Sequence, residues 1–151
     1  MYTRRSLLLV LAGAMLVITS ACASVPMASL EMDMKAKNMS APQDKALVYL
    51  YRNETFGSAI KMTVNLDGKF AGQTARKTYF MWLLPPGNHE FVSVTENTSR
   101  LNVDAKAGQT YYIWQEVKMG MWGARSKLQL VDKAKGKKGV DVSKLIATNP
   151  E

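Results

Sequence analysis

Between Lys45 and Val131 turn signals cut the chain into short apolar and aromatic runs at roughly ten-residue spacing, a rhythm that restricts it to a sandwich or barrel of strands. Ala46 to Arg52 (ALVYLYR) is β-rich on both faces. Ile60, Met62, Val64 and Leu66 alternate with Lys61, Thr63 and Asn65, giving one buried and one wet face. Asp67-Gly68 supplies the positive-φ residues of a tight hairpin, with Phe70 to Thr74 as its return strand. Thr78 to Leu84 stops at Pro85-Pro86-Gly87-Asn88, where two N–H groups are missing and a glycine lets the chain turn. Glu90 to Thr95, Leu101 to Ala105, Thr110 to Lys118 and Lys127 to Val131 complete about eight strands. Such a length supplies one core and not two. The expected fold is all-β, a single antiparallel sandwich over residues 45–131.

The N-terminus has a different character. Arg4 and Arg5 precede Leu7 to Ile18 (LLLVLAGAMLVI), an apolar stretch far shorter than the roughly 20 residues a membrane span requires. Residues 1–21 therefore read as a signal peptide. Thr3-Arg4-Arg5-Ser6-Leu7-Leu8 also resembles a twin-arginine signal, although so apolar a stretch suits general secretion better. Ile18-Thr19-Ser20-Ala21-Cys22 follows, with the chain's single cysteine at the cleavage point. The pattern resembles the lipobox of bacterial lipoproteins, except that Thr19 stands where leucine is usual. Cleavage after Ala23 also fits the small-residue rule, but an exported lone thiol would then have no evident use. Cys22 is the expected lipidation site. Because Ala23 follows it instead of aspartate, the resemblance implies sorting to the outer membrane, on the face toward the periplasm.

Residues 22–44 are rich in Ser, Ala, Met, Lys and Asn, contain Pro26 and Pro42, and show no sustained apolar period, so a flexible tether is expected. Removing Arg4 and Arg5 with the signal lowers the net charge from +8 to +6. Most of that excess lies between Lys118 and Lys144. Residues 132–151 form a basic tail, in which Lys133, Lys135, Lys137 and Lys138 read as a glycine-containing loop and Val142 to Thr148 as a short helix capped by Asp141. These four lysines are the candidate contact for anionic head groups or an anionic envelope polymer. No recognition motif points to nucleic acid.

Catalytic chemistry has little to work with. One histidine, His89, cannot complete a zinc site, and no serine has the glycine pattern of a nucleophile elbow. Glu90, Glu96, Asp104 and Glu116 are expected on strands, facing solvent. No cofactor is expected. Met32, Met34, Met119 and Met121 form two closely spaced thioether pairs, an alternative set of ligands for Cu(I). Met62 and Met81 read as core. Tyr49 and Tyr51, with Tyr112 and Trp114 on a second strand, form aromatic rows that are either covered on both faces or open to a protein or glycan partner.

Ala46 to Arg52, Asp67-Gly68-Lys69, Leu84-Pro85-Pro86-Gly87-Asn88-His89 and Ala107-Gly108-Gln109-Thr110-Tyr111-Tyr112 occur in an order and spacing that resemble the bacterial envelope family known as domain of unknown function 2846. The resemblance implies a sandwich of the transthyretin-like, PEGA-like or immunoglobulin-like kind, acting as a binding or spacing module with no catalytic residues to carry over. The expected partners are a membrane, reached through the lipid, and an envelope protein or anionic polymer.

Overall fold

The computed structural model describes residues 24–148, so the expected signal peptide and Cys22 lie outside the described residues. The strands are β1 (Ala46–Arg52), β2 (Met62–Leu66), β3 (Lys69–Thr74), β4 (Thr78–Leu84), β5 (Gly87–Val94), β6 (Thr98–Ala105), β7 (Thr110–Met119), β8 (Ala124–Val131) and β9 (Lys144–Leu145). Two helices accompany them, α1 (Leu30–Lys37) and α2 (Lys133–Asp141). The sheets run β8-β7-β1-β4-β9 and β3-β2-β5-β6, packed as an all-β sandwich. The first eight strands fall on the runs read from the sequence. Asp67 and Gly68 both have positive φ, as their hairpin requires.

The expectation of a wholly antiparallel sandwich is corrected at two pairings: β1 runs parallel to β7, and β4 parallel to β9. Parallel neighbours need a long crossover. Between β1 and β7 the chain builds the entire second sheet, which serves as that crossover.

β1 is buried at every position. Its alternation sends Val48 and Leu50 into the space between the sheets, with Val64, Phe80, Phe91, Val103 and Ile113. Leu47, Tyr49 and Tyr51 point to the other face, where Tyr79, Tyr112 and Leu145 join them beneath Ala36 of α1 and Val140 of α2. The five-stranded sheet is thus apolar on both sides, and the helices cover the side that the second sheet does not.

Residues 22–44 are not a free tether across the described part. Val25 is buried, Met27 bridges Ile146 beside β9, and the Ser29 hydroxyl caps α1 by accepting from the Met32 N–H at 3.2 Å. The helix is docked by Asp33. Its Oδ1 accepts from the Tyr79 hydroxyl at 2.8 Å and the Leu145 N–H at 2.9 Å, and its Oδ2 from Lys37 Nζ at 2.7 Å. Burial alone would raise the Asp33 carboxyl, but the bonds from Lys37, Tyr79 and Leu145 outweigh it and hold the group below its ordinary value. No apolar period betrays α1, because its inward residues are an aspartate and an alanine.

The C-terminal expectation is corrected in the same way. The lysine segment is the helix, its N-terminus capped by Asp132, whose Oδ1 accepts from the Lys135 N–H at 2.9 Å; Lys144–Leu145 of the expected helix form β9. Gly136 and Gly139 face the sheet. A Cβ on Gly136 would overlap the Tyr112 side chain, and one on Gly139 the Tyr51 ring. Glycine costs a helix interior about 1 kcal/mol relative to alanine. Here the missing side chains let the helix lie directly on the rings.

Gly139→Val is therefore expected to destabilise the domain by about 2 kcal/mol or more in urea unfolding, through overpacking against Tyr51. Lys138→Ala, on the exposed side of the same helix, should stay within about 0.5 kcal/mol. Similar values for the two would mean that α2 is not seated on the tyrosines.

Candidate interaction surface

Of the aromatic residues read as either covered on both faces or open to a partner, Tyr49, Tyr51 and Tyr112 are buried, the first of those alternatives. Tyr49 and Tyr112 stack at 5.2 Å, and the Tyr49 hydroxyl donates to the Ala36 carbonyl at 2.5 Å. Burial pushes the hydroxyls of Tyr49 and Tyr51 up to about 12, so both remain neutral. Trp114 is half-buried, with Nε1 donating to Glu54 Oε1 at 2.8 Å and Lys135 Nζ 3.9 Å above its ring.

Lys133, Lys135 and Lys138 are exposed on α2, while Lys137 is half-buried and pairs with Asp141 at 2.5 Å. Two of the four lysines are thus already engaged. The methionine set is divided. Met32 and Met34 lie on α1, which packs beside β9, whereas Met119 and Met121 lie at the β7–β8 hairpin on the opposite edge of that sheet. The fold does not bring the two pairs together.

The sequence reading missed a set of polar side chains that shape one end of the sandwich. Arg52, fully buried at the end of β1, donates from Nη1 to the Ile60 carbonyl at 2.7 Å and from Nη2 to the Gly57 carbonyl at 2.6 Å. It fixes the loop between β1 and β2 from inside. Glu96, expected on a strand, lies in the β5–β6 turn. Its carboxylate accepts from the backbone N–H groups of Met121, Trp122 and Gly123 at 3.1, 3.0 and 2.8 Å. Those bonds hold it below the ordinary carboxylate value and set the shape of the β7–β8 hairpin tip. Gly120 is obligatory there, because a Cβ would meet the Gly123 carbonyl oxygen at 2.6 Å. Behind the tip, Thr74, Gln115, Ser93 and Ser126 form a buried chain of hydrogen bonds joining the sheets, with steps of 2.5, 2.7 and 2.7 Å. Every link is paired, so the chain ties the sheets together without orphaned groups.

At the opposite end lie the Asp67-Gly68 hairpin and the Pro85-Pro86-Gly87 turn. Residues 42–126 match the family described as protein of unknown function (DUF2846). The chain belongs to that family. An uncharacterized protein of Haemophilus influenzae is 34% identical over 125 residues, which span 82% of this chain and 74% of the relative. No solved structure matches. The DUF2846 match ends at Ser126, early in β8, so α1, α2 and β9 lie outside it although they cover the tyrosine face.

Within the DUF2846 domain the Pro-Pro-Gly turn and the Asp-Gly hairpin are joined by His89. Its Nδ1 lies 2.7 Å from Asp67 Oδ2, and its Nε2 lies 2.8 Å from the Pro85 carbonyl oxygen. Both partners are acceptors, so both ring nitrogens must donate, and the imidazolium is the form that satisfies the site. Burial alone would lower the His89 value, but the bonds to Asp67 and Pro85 outweigh it and raise it; they correspondingly depress Asp67 against its own burial. A raised histidine contributes stability below its ordinary 6.5 and loses it as pH rises through the folded value. A depressed aspartate contributes above 3.8 and loses it as pH falls through the folded value. The stability gap between wild type and His89→Gln should therefore be widest between pH 3.8 and 6.5 and narrow on the alkaline side. Urea midpoints across pH check this, and a gap that widened with rising pH would contradict the latch.

Proposed function

We propose that this DUF2846 protein is a non-enzymatic interaction module of the bacterial cell envelope, held on the periplasmic face of the outer membrane by a diacylglyceryl group on Cys22. The observation that carries the reading is Ile18-Thr19-Ser20-Ala21-Cys22, with the chain's single cysteine directly after a short apolar stretch and small residues. Ala23 in place of aspartate supports the outer-membrane destination.

The geometry of the domain supports the rest of the reading. The one histidine has both ring nitrogens committed to Asp67 and Pro85, which leaves neither free to act as a base. Among the described residues no three His, Cys, Asp or Glu side chains gather to hold a metal ion, and no helix is long and apolar enough to cross a membrane. Interaction is favoured over spacing because Val25 is already buried in the fold. Three residues from Cys22, the chain has become part of the body, so the domain would rest close to the bilayer instead of being held away from it. Its partner would be an envelope protein or an anionic polymer.

Cys22→Ser is expected to remove the acyl mass from the N-terminal peptide and to move the protein from the membrane to the soluble fraction. A wild-type N-terminal peptide without acyl mass, or a Cys22→Ser protein still wholly in the membrane fraction, would contradict the anchor.

A further inference from the structure

The tip of the β7–β8 hairpin carries the most exposed apolar side chains of the described residues: Trp122 is 91% exposed, Met121 81% and Met119 79%. Beside it, the loop between β1 and β2 exposes Phe56 at 52%. That loop lies near the base of the hairpin, since a Cβ on Gly57 would sit 3.5 Å from Val117 Cγ1 and 3.9 Å from Ala124 Cβ. Single exposed apolar residues need no explanation, but a cluster does. These side chains are not what shapes the tip, because the Glu96 carboxylate and the close turn at Gly120 fix its backbone. They are free to contact something outside the molecule.

Topology fixes where the tip points. Arg52 pairs with Thr78, and Thr78 with Lys144. Ser24 and Val25 line one shallow depression with Arg76, Lys77, Thr78 and Lys144, so the described chain starts at this end of the sandwich. β7, parallel to β1, passes Tyr51 at Trp114 and continues to Met119. At about 3.3 Å per residue the tip stands roughly 13 Å beyond Arg52, at the same end as Ser24.

Charge follows the same axis. The Ser24 end exposes Lys61, Arg76, Lys77, Lys118, Arg125 and Lys144, against Glu96, the half-buried Glu54 and Asp141, which is paired with Lys137. Lys118 is shared with Glu116 at 2.6 Å. At the opposite end, Asp44, Asp67, Asp104 and Asp132 stand against Lys45, Lys69, Lys106, Lys133 and the His89 imidazolium paired with Asp67, leaving that end nearly balanced. An apolar tip bearing tryptophan, at an end of the sandwich that carries excess basic side chains, has the composition of a bilayer interface, where tryptophan sits at head-group depth and cations meet phosphate.

We propose that the β7–β8 tip is a second membrane contact, in which Met119, Met121 and Trp122 enter the interface of an anionic bilayer while Arg125, Arg76, Lys77 and Lys144 meet lipid phosphates. The proposal rests on the anchor reading for its orientation, because Cys22 is two residues from Ser24. Lipid and tip together would give the domain two points of attachment and one orientation, with its balanced end turned away from the membrane.

The test adds the full-length purified protein to vesicles of phosphatidylcholine and phosphatidylglycerol whose acyl chains carry bromine, and reads tryptophan emission. Quenching that disappears in Trp122→Ala is expected, the emission left in that variant coming from Trp82 and Trp114 and staying unquenched. It should fall several-fold when Arg76, Lys77 and Arg125 are changed to glutamine, and likewise in vesicles of phosphatidylcholine alone. Circular dichroism of each variant shows whether the fold is kept, which is expected because all these side chains are exposed. Emission of vesicle-associated protein that is quenched equally in wild type and Trp122→Ala would overturn the contact and point to a protein partner for the tip. The mass of the N-terminal peptide reads the anchor separately. A peptide without acyl mass overturns the anchor and leaves the quenching result to decide the tip.

Discussion

Tyr49 and Tyr51 point away from the space between the sheets, and a central sheet carrying Tyr79 and Tyr112 beside them cannot leave that face to water. The two helices and the segments that carry them follow from this demand. Fully burying an aromatic side chain contributes roughly 1.5–3 kcal/mol, and its hydroxyl must find a partner within the fold. Asp33 and the Ala36 carbonyl receive the hydroxyls of Tyr79 and Tyr49, while Gly136 and Gly139 give the rings of Tyr112 and Tyr51 room against α2. The segments before β1 and after β8 are therefore structural parts of the domain. They also meet each other, since Lys37 of α1 donates to the Ser143 carbonyl at 2.7 Å and Asp33 accepts from Leu145.

Closing the tyrosine face in this way gives the sandwich two unlike ends. One is latched by His89 between Asp67 and Pro85, and its turn charges nearly cancel. At the other, Arg52 and Glu96 hold two loops by their backbones and leave Phe56, Met119, Met121 and Trp122 outward. A backbone secured by buried or carboxylate hydrogen bonds does not need its side chains for stability. That independence allows a loop to carry exposed apolar groups without losing its shape.

How much of this was legible in the sequence depends on what kind of signal each part carried. The eight main strands were readable because alternation and turn residues are local: Asp67-Gly68 turns where it stands, and Pro85-Pro86 stops pairing by lacking donors. Burial of β1 on both faces was written in ALVYLYR, but what covers its outer face was not. The covering helices are docked by an aspartate, an alanine and two glycines, none of which registers as an apolar stripe. The parallel pairings of β1 with β7 and of β4 with β9 are long-range facts that no local pattern carries. Trp122 had no strand to assign it to. Its outward position depends on Glu96, far away in the chain, which holds the tip's backbone.

Native-state amide hydrogen exchange on the purified protein tests the central claim that the terminal segments are built into the domain. If α1 is docked through Asp33, the Asp33 and Asn38 amides, which donate to the Ser29 and Met34 carbonyls at 3.0 and 3.2 Å, will be protected well above free-peptide rates. In Asp33→Ala that protection should collapse together with protection of the Leu145 and Ile146 amides, while β1 remains slow. Exchange of α1 at free-peptide rates in the wild type, with β1 still protected, would contradict the account and restore a loose tether in front of the sandwich.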